Sequence, residues 1–95
     1  MSTLTDTTEI VAADDCLSTT IDGESVILHM GTDEYYGFNE VGTFVWESIQ
    51  EPRSLEAVCE DVTDEYEVEY DRCRADVEEL VRDLADKGLA RIDPE

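Results

Sequence analysis

An α+β domain, in which a three-stranded antiparallel meander is followed by three helices, is the fold class this 95-residue sequence predicts. Three observations carry it. Apolar and polar residues alternate in the first half, apolar residues recur at spacings of three and four in the second, and the change of period falls at Asn39, a good helix N-cap. A chain of this length supports one compact domain and hardly two, because half of it would bury too little apolar surface to offset its conformational entropy.

Residues 1–14 are expected as a disordered acidic tail. Met1 to Ile10 is rich in Thr, Asp and Glu and lacks the basic start and apolar stretch of a secretory signal. An ordered domain is expected over 15–93. Its first strand alternates Leu17, Thr19 and Ile21 with Ser18, Thr20 and Asp22, and Asp22-Gly23 supplies a turn into Val26, Leu28 and Met30 against Ile27 and His29. A second turn, Gly31-Thr32-Asp33, leads into Glu34-Tyr35-Tyr36-Gly37-Phe38, whose aromatic content favours a third strand. So small a sheet needs a helix packed on it. A first helix is expected from Glu40 to Gln50 with Val41, Phe44, Val45 and Ile49 at helical spacing, ended by Pro52. Ser54 caps a second, carrying Leu55, Val58, Cys59 and Val62. Tyr66 and Val68 then plug the connection to a third, which starts between Tyr70 and Arg72. This last helix carries Cys73, Val77, Leu80, Val81 and Leu84 and stops at Gly88, with Leu89 and Ile92 folding back onto the core.

Charge is the most unusual bulk property. Twenty-six acidic residues face six basic ones, a net charge of −20, and no Lys or Arg precedes Arg53. Phosphate binding depends on Lys and Arg displacing condensed counterions, so nucleic acid is a poor partner. The acids are spread over the whole chain, which fits adaptation to a salt-rich cytoplasm; the other reading is a surface that recruits a basic partner. Molar salt shrinks the Debye length to about 3 Å, so the self-repulsion is expected to be screened there and to destabilise the fold in dilute buffer. No apolar run approaches the length of a membrane span.

Chemistry of the chain's own is not expected. His29 is the single histidine, and at an alternating strand position it reads as a surface or hydrogen-bonded residue rather than a general base. Gly37 and Gly42 do not form a phosphate-binding loop. The Glu78-Glu79 pair reads as solvated surface, and the acids from Glu60 to Glu69 lack the loop glycine and ligand alternation of a calcium site. Cys16, Cys59 and Cys73 are an odd set with no Cys-x-x-Cys pair, so neither zinc nor a complete disulfide framework follows, and a reduced, cytoplasmic protein is the simplest account. What remains is binding. An edge strand offers unpaired N–H and C=O groups that an extended peptide can complete, and Tyr35-Tyr36-Gly37-Phe38 is the attractive edge. The plainer reading makes Tyr36 or Phe38 core, and Trp46 either caps the core at the sheet margin or faces a partner.

The runs Val26-Ile27-Leu28-His29-Met30, Tyr35-Tyr36-Gly37-Phe38-Asn39-Glu40-Val41-Gly42 and Val45-Trp46-Glu47, followed by Ser54-Leu55-Glu56, Tyr66, Val68 and Ala75-Asp76-Val77, resemble the PqqD-like peptide chaperones. These are recognition elements for ribosomally made, post-translationally modified peptides. The likeness spans Leu17 to Ile92, and the Tyr-Tyr-Gly-Phe-Asn-Glu-Val-Gly stretch is its most specific part. It departs from many members in its acidity and in Glu69-Tyr70, where they carry Asp-Pro. The resemblance implies a winged-helix-turn-helix-like domain with neither cofactor nor enzymatic activity. It implies that a precursor's leader adds as a strand along the third strand, in a groove beside the third helix. Carried over by position, the peptide-binding residues are Tyr35, Tyr36, Gly37 and Phe38 with Arg74, Val77, Glu78 and Val81.

The partners so implied are a precursor leader peptide and a peptide-modifying enzyme such as a radical SAM maturase, a cyclase or a protease. Neither nucleic acid nor membrane is expected, and a homodimer through the sheet edge stays open. A winged-helix DNA-binding transcriptional regulator is the alternative function, opposed by Asp76, Glu78, Glu79, Asp83 and Asp86 on the third helix. A structural subunit that completes a larger enzyme is a third option.

Overall fold

The computed structural model describes residues 4–93. Along the chain run β1 (Glu9–Ala12), β2 (Cys16–Ile21), β3 (Glu24–His29), β4 (Glu34–Phe38), α1 (Glu40–Ser48), β5 (Arg53–Ser54), α2 (Leu55–Glu65), α3 (Tyr70–Asp86) and β6 (Ala90–Asp93). The predicted α+β class holds, with the antiparallel meander β2-β3-β4 followed by three helices. A second sheet, absent from the sequence prediction, has the order β5-β1-β6 and is antiparallel at both seams.

Turn chemistry sets the register of the meander. Asp22 (φ 54°) and Gly23 (φ 83°) both sit in the left-handed region, as the two-residue hairpin connection between the paired Ile21 and Glu24 requires. The next turn spans four residues and closes with Asp33 N–H donating to the His29 carbonyl at 2.7 Å, so that His29 faces Glu34. Alternation then sends Ser25, Ile27 and His29 inward, all buried. The more apolar stripe of β3, Val26 and Leu28, lies on the outer side. His29 is held rather than free: its Nδ1 accepts from Gly31 N–H at 3.1 Å.

The helices start where their caps place them. Asn39 Oδ1 accepts from Gly42 N–H at 2.8 Å, and Ser54 Oγ accepts from Ala57 N–H at 3.1 Å. The C-terminus of α3 is a Schellman turn in which Leu89 N–H reaches the Leu84 carbonyl and Gly88 N–H the Ala85 carbonyl. Its left-handed C′ position is Gly88, φ 76°. The core joins Val45 and Trp46 of α1 and Ile49 just after it, Leu55, Val58, Cys59 and Val62 of α2, and Cys73, Val77, Val81 and Leu84 of α3 to Ile27 and Leu89. Burial pushes the Cys59 thiol up to about 12 and raises that of Cys73, so both stay protonated and unreactive at neutral pH. Trp46 belongs to this core and packs at a tilt on Phe38, ring centroids 6.3 Å apart. Val41 and Phe44, expected on the buried stripe, are exposed and half-buried; Gly42 and Thr43 are buried in their place.

The tail expected over residues 1–14 is corrected from Leu4 onward; Met1, Ser2 and Thr3 lie outside the described residues. β1 is the central strand of the second sheet, with Ile10 fully buried and Leu4, Thr8 and Ala12 nearly so. Upstream of it, the Thr8 and Asp6 carbonyls accept from Leu55 and Glu56 N–H, satisfying two free donors of the first turn of α2. The segment escaped prediction because its partners are remote. Ile10 pairs with Arg53 and Ile92, so nothing within a few residues marks it as a strand.

Candidate functional site

In the order β2-β3-β4, β4 pairs on one side only among the described residues. Along the other side alternate residues turn N–H and C=O groups outward, where a further strand can complete them. α3 packs mainly on α2 and β6 rather than on β4. Between α3 and β4 lies a groove of about 430 Å³, lined by Tyr36, Gly37, Phe38, Val41, Leu80 and Lys87 among others. The start of α1 closes one end. A Cβ on Gly42 would come within 3.1 Å of the Phe38 Cβ, so a glycine lets the helix approach this closely.

The predicted site residues divide along this geometry. Tyr36 and Phe38 point to the groove side, both half-buried and packed against the core margin, whereas Tyr35 is exposed on the opposite side of the sheet. Gly37 lines the groove by its backbone. The third-helix positions need correction. Val77 and Val81 are 3% and 0% exposed and belong to the core. Arg74 and Glu78 lie on the far flank, where Arg74 pairs with Asp6 at 3.0 Å, donates to the Leu4 carbonyl and contacts Glu78. At 100° per residue, Leu80, Asp83 and Lys87 project to one side of the buried stripe and Arg74 and Glu78 to the other. The groove flank was still legible in part: Leu80 sits at the margin of its apolar stripe, as Val41 does at the start of α1.

Electrostatically the groove is acidic, with Lys87 on its lining and Arg82 on the hollow that continues it. Asp76, Glu79, Asp83 and Asp86 edge a second hollow along α3 that continues the first through Leu80 and Asp83. Lys87 Nζ pairs with Asp83 at 2.7 Å and lies 5.8 Å from the centre of the Tyr36 ring. Tyr36 Oη donates to Glu34 at 2.6 Å, and this bond raises the phenol above its usual range, with desolvation and the Glu34 and Asp83 charges adding to it. Among the described residues no grouping of His, Cys, Asp and Glu side chains could hold a metal. What the arrangement offers is backbone pairing beside a small apolar floor.

Residues 24–90 match the family model described as Coenzyme PQQ synthesis protein D (PqqD). The chain belongs to the PqqD family. Proteins of this family that bind leader peptides are recognition elements rather than catalysts. Two solved structures share the fold of this PqqD-family chain. "TbiB1 in Complex with the TbiA(beta) Leader Peptide" aligns with a TM-score of 0.80 and 31% identity, covering 85% of this chain and 94% of that one. "Lasso peptide synthetase B1 complexed with the leader peptide" aligns at 0.75 with 24% identity, over 86% and 96%, and bears on the fold alone. No curated protein sequence matches.

Proposed function

We propose that this PqqD-family chain is a non-catalytic chaperone that binds the leader of a ribosomally made precursor peptide and presents it to a modifying enzyme. The free edge of β4, opening on the groove beside α3, carries the reading. The leader adds antiparallel or parallel to β4 as a fourth strand, its backbone completing the outward groups of Tyr35 to Phe38 and an apolar side chain resting on Phe38, Val41 and Leu80. The likeness to TbiB1, solved in complex with the TbiA(beta) leader peptide, supports this. The client enzyme belongs to the radical SAM, cyclase or protease classes. Three free cysteines suit a reducing cytoplasm, and no described helix is long and apolar enough to cross a membrane. DNA binding gains no support, because the open flank of α3 presents Asp76, Glu79, Asp83 and Asp86 against a single arginine, Arg82, to any phosphate.

The test is a titration, in molar potassium chloride, with leader segments of the short peptides encoded beside the gene, following Trp46 fluorescence and then amide shifts. Micromolar binding, about −8 kcal/mol, is expected from so small an interface. Shifts should concentrate in β4 and along the Leu80–Lys87 flank of α3. Leu80→Asp should weaken binding about tenfold or more, while Arg74→Ala on the far flank should change it less than about twofold. Equal losses in both variants would return the site to the far flank, and saturation by none of the peptides would overturn the reading.

A further inference from the structure

The outer face of the meander differs from the rest of the surface. Residues that face each other across strands share a side, so the register puts Leu17, Leu28 and Tyr35 in one row, Thr19, Val26 and Gly37 in the next, and Ile21 beside Glu24. Tyr35 is 71% exposed, Ile21 65%, Leu17 57% and Val26 47%, and Met30, which continues the β3 stripe, 45%. Nothing lies within 4 Å of where a Cβ on Gly37 would stand, which leaves a notch between the aromatic and aliphatic side chains. In a chain with 34% charged residues, Glu24 is the one charged side chain that these strands turn to this side.

We propose that this face docks the peptide-modifying enzyme, a folded protein presenting an apolar patch ringed by Lys and Arg; the inference rests on the peptide-binding reading above. Continuity is the first argument. β4 gives its free edge to the leader and its outward residues Tyr35 and Gly37 to the face, so a leader added to β4 extends the same surface with its own outward side chains. Size and charge choose the occupant. Three strands about 4.8 Å apart and about six residues long at about 3.4 Å each cover on the order of 300 Å². A stable interface takes about 800 Å² from each partner, so the partner must reach past the apolar rows to the rim. That rim holds exposed Asp22 and Glu24 at one end and Asp15 and Asp33 at the other, with no Lys or Arg among β2, β3, β4 and their two turns. A second copy would set this acidic rim directly against its own counterpart, a contact at shorter range than molar salt screens. A basic ring complements it.

The experiment takes the full chain and, in purified form, each peptide-modifying enzyme encoded beside its gene, in molar potassium chloride, with binding read by calorimetry. The triple variant Leu17→Ser, Ile21→Thr, Val26→Thr alters neither β4 nor α3. It should keep leader affinity within about twofold and lose at least about tenfold in enzyme affinity. Should circular dichroism show the triple variant unfolded, Glu24→Arg serves alone: it should slow enzyme association several-fold as salt is lowered, with leader affinity unchanged. Unchanged enzyme binding in the folded variants, or no enzyme bound by the wild type, overturns the proposal. A wild-type dimer in sedimentation that the triple variant abolishes overturns it too, giving the face to a second copy. Enzyme docking that survives while no leader binds overturns the peptide reading instead, so the two failures are distinct.

Discussion

The meander β2-β3-β4 and the sheet β5-β1-β6 are both three-stranded and antiparallel, but they are assembled in opposite ways. Each meander strand pairs with its neighbour in sequence through a turn of two or four residues. The other sheet joins residues 9–12 to 53–54 and 90–93, strands of four, two and four residues drawn from both ends of the chain and its middle. Burial runs the other way. β2 is exposed along nearly its whole length, whereas the short central strand β1 buries Ile10 and Ala12, and Ala12 and the following Ala13 donate onward to the Ile49 and Leu89 carbonyls. The locally specified sheet is therefore the one with surface to spare for binding, and the remotely specified one closes the core.

Removing residues 1–12 should break that contrast most severely. The deletion strips the central strand from β5 and β6, the Leu4 and Ile10 side chains from the core, and the Thr8 and Asp6 carbonyls from the start of α2. Loss of one fully buried isoleucine side chain costs about 2–5 kcal/mol, and domains hold only about 5–15 kcal/mol in total. The truncated chain is expected to show no cooperative thermal transition even in molar salt. A transition within a few degrees of the full-length protein would mean that the segment is the dispensable tail its composition suggests.

Single substitutions sharpen the same contrast. Ile10→Ala should cost about 2–5 kcal/mol, which in a domain of this size lowers the melting temperature by about 10 °C or more. Ile21→Ala, at an isoleucine on the opposite sheet that is 65% exposed, should stay within about 0.5 kcal/mol. Denaturant titration of the two variants side by side decides it. Comparable losses would show that the outer face of the meander is covered in solution, which would itself point to self-association.

These two isoleucines also show what the sequence makes legible. Ile21 sits in a six-residue alternation that ends in Asp-Gly, so strand, turn and register can all be read locally. The helices are legible for the same reason: Asn39, Ser54 and Gly88 mark their ends within one turn of the apolar stripes they delimit. Ile10 has no such neighbours. Its strand is four residues long amid acids, and a Pro52-Arg53-Ser54 stretch does not announce a pairing partner. The site divides likewise. The β4 edge follows from strand order, but which flank of α3 meets it depends on how α3 packs on α2 and β6, which are remote from β4 in sequence. Position in the family pattern alone puts Arg74 among the peptide contacts; bonded to Asp6 and Leu4, it marks the side of α3 away from the groove.

A smaller effect is expected at the seam that ties the meander to the helices, which differs in chemistry from the apolar seam around Ile10. Thr43 Oγ1 of α1 and Ser25 Oγ of β3 share a buried hydrogen bond of 2.8 Å, next to Ile27 and Val45. Thr43→Val is nearly isosteric but leaves the Ser25 hydroxyl, 2% exposed, without this partner and should cost about 1–3 kcal/mol. Adding Ser25→Ala removes the stranded hydroxyl, so the double variant should be no less stable than Thr43→Val alone and the two losses should fail to add by about 0.5 kcal/mol or more. Strict additivity in urea titrations would mean that water replaces the missing partner, and hence that the meander sits less tightly on α1 than the second sheet does on the core. A coupled pair would instead show that a sheet free on its outer face and one edge is still held in a single register against the helices, which a leader adding to β4 requires.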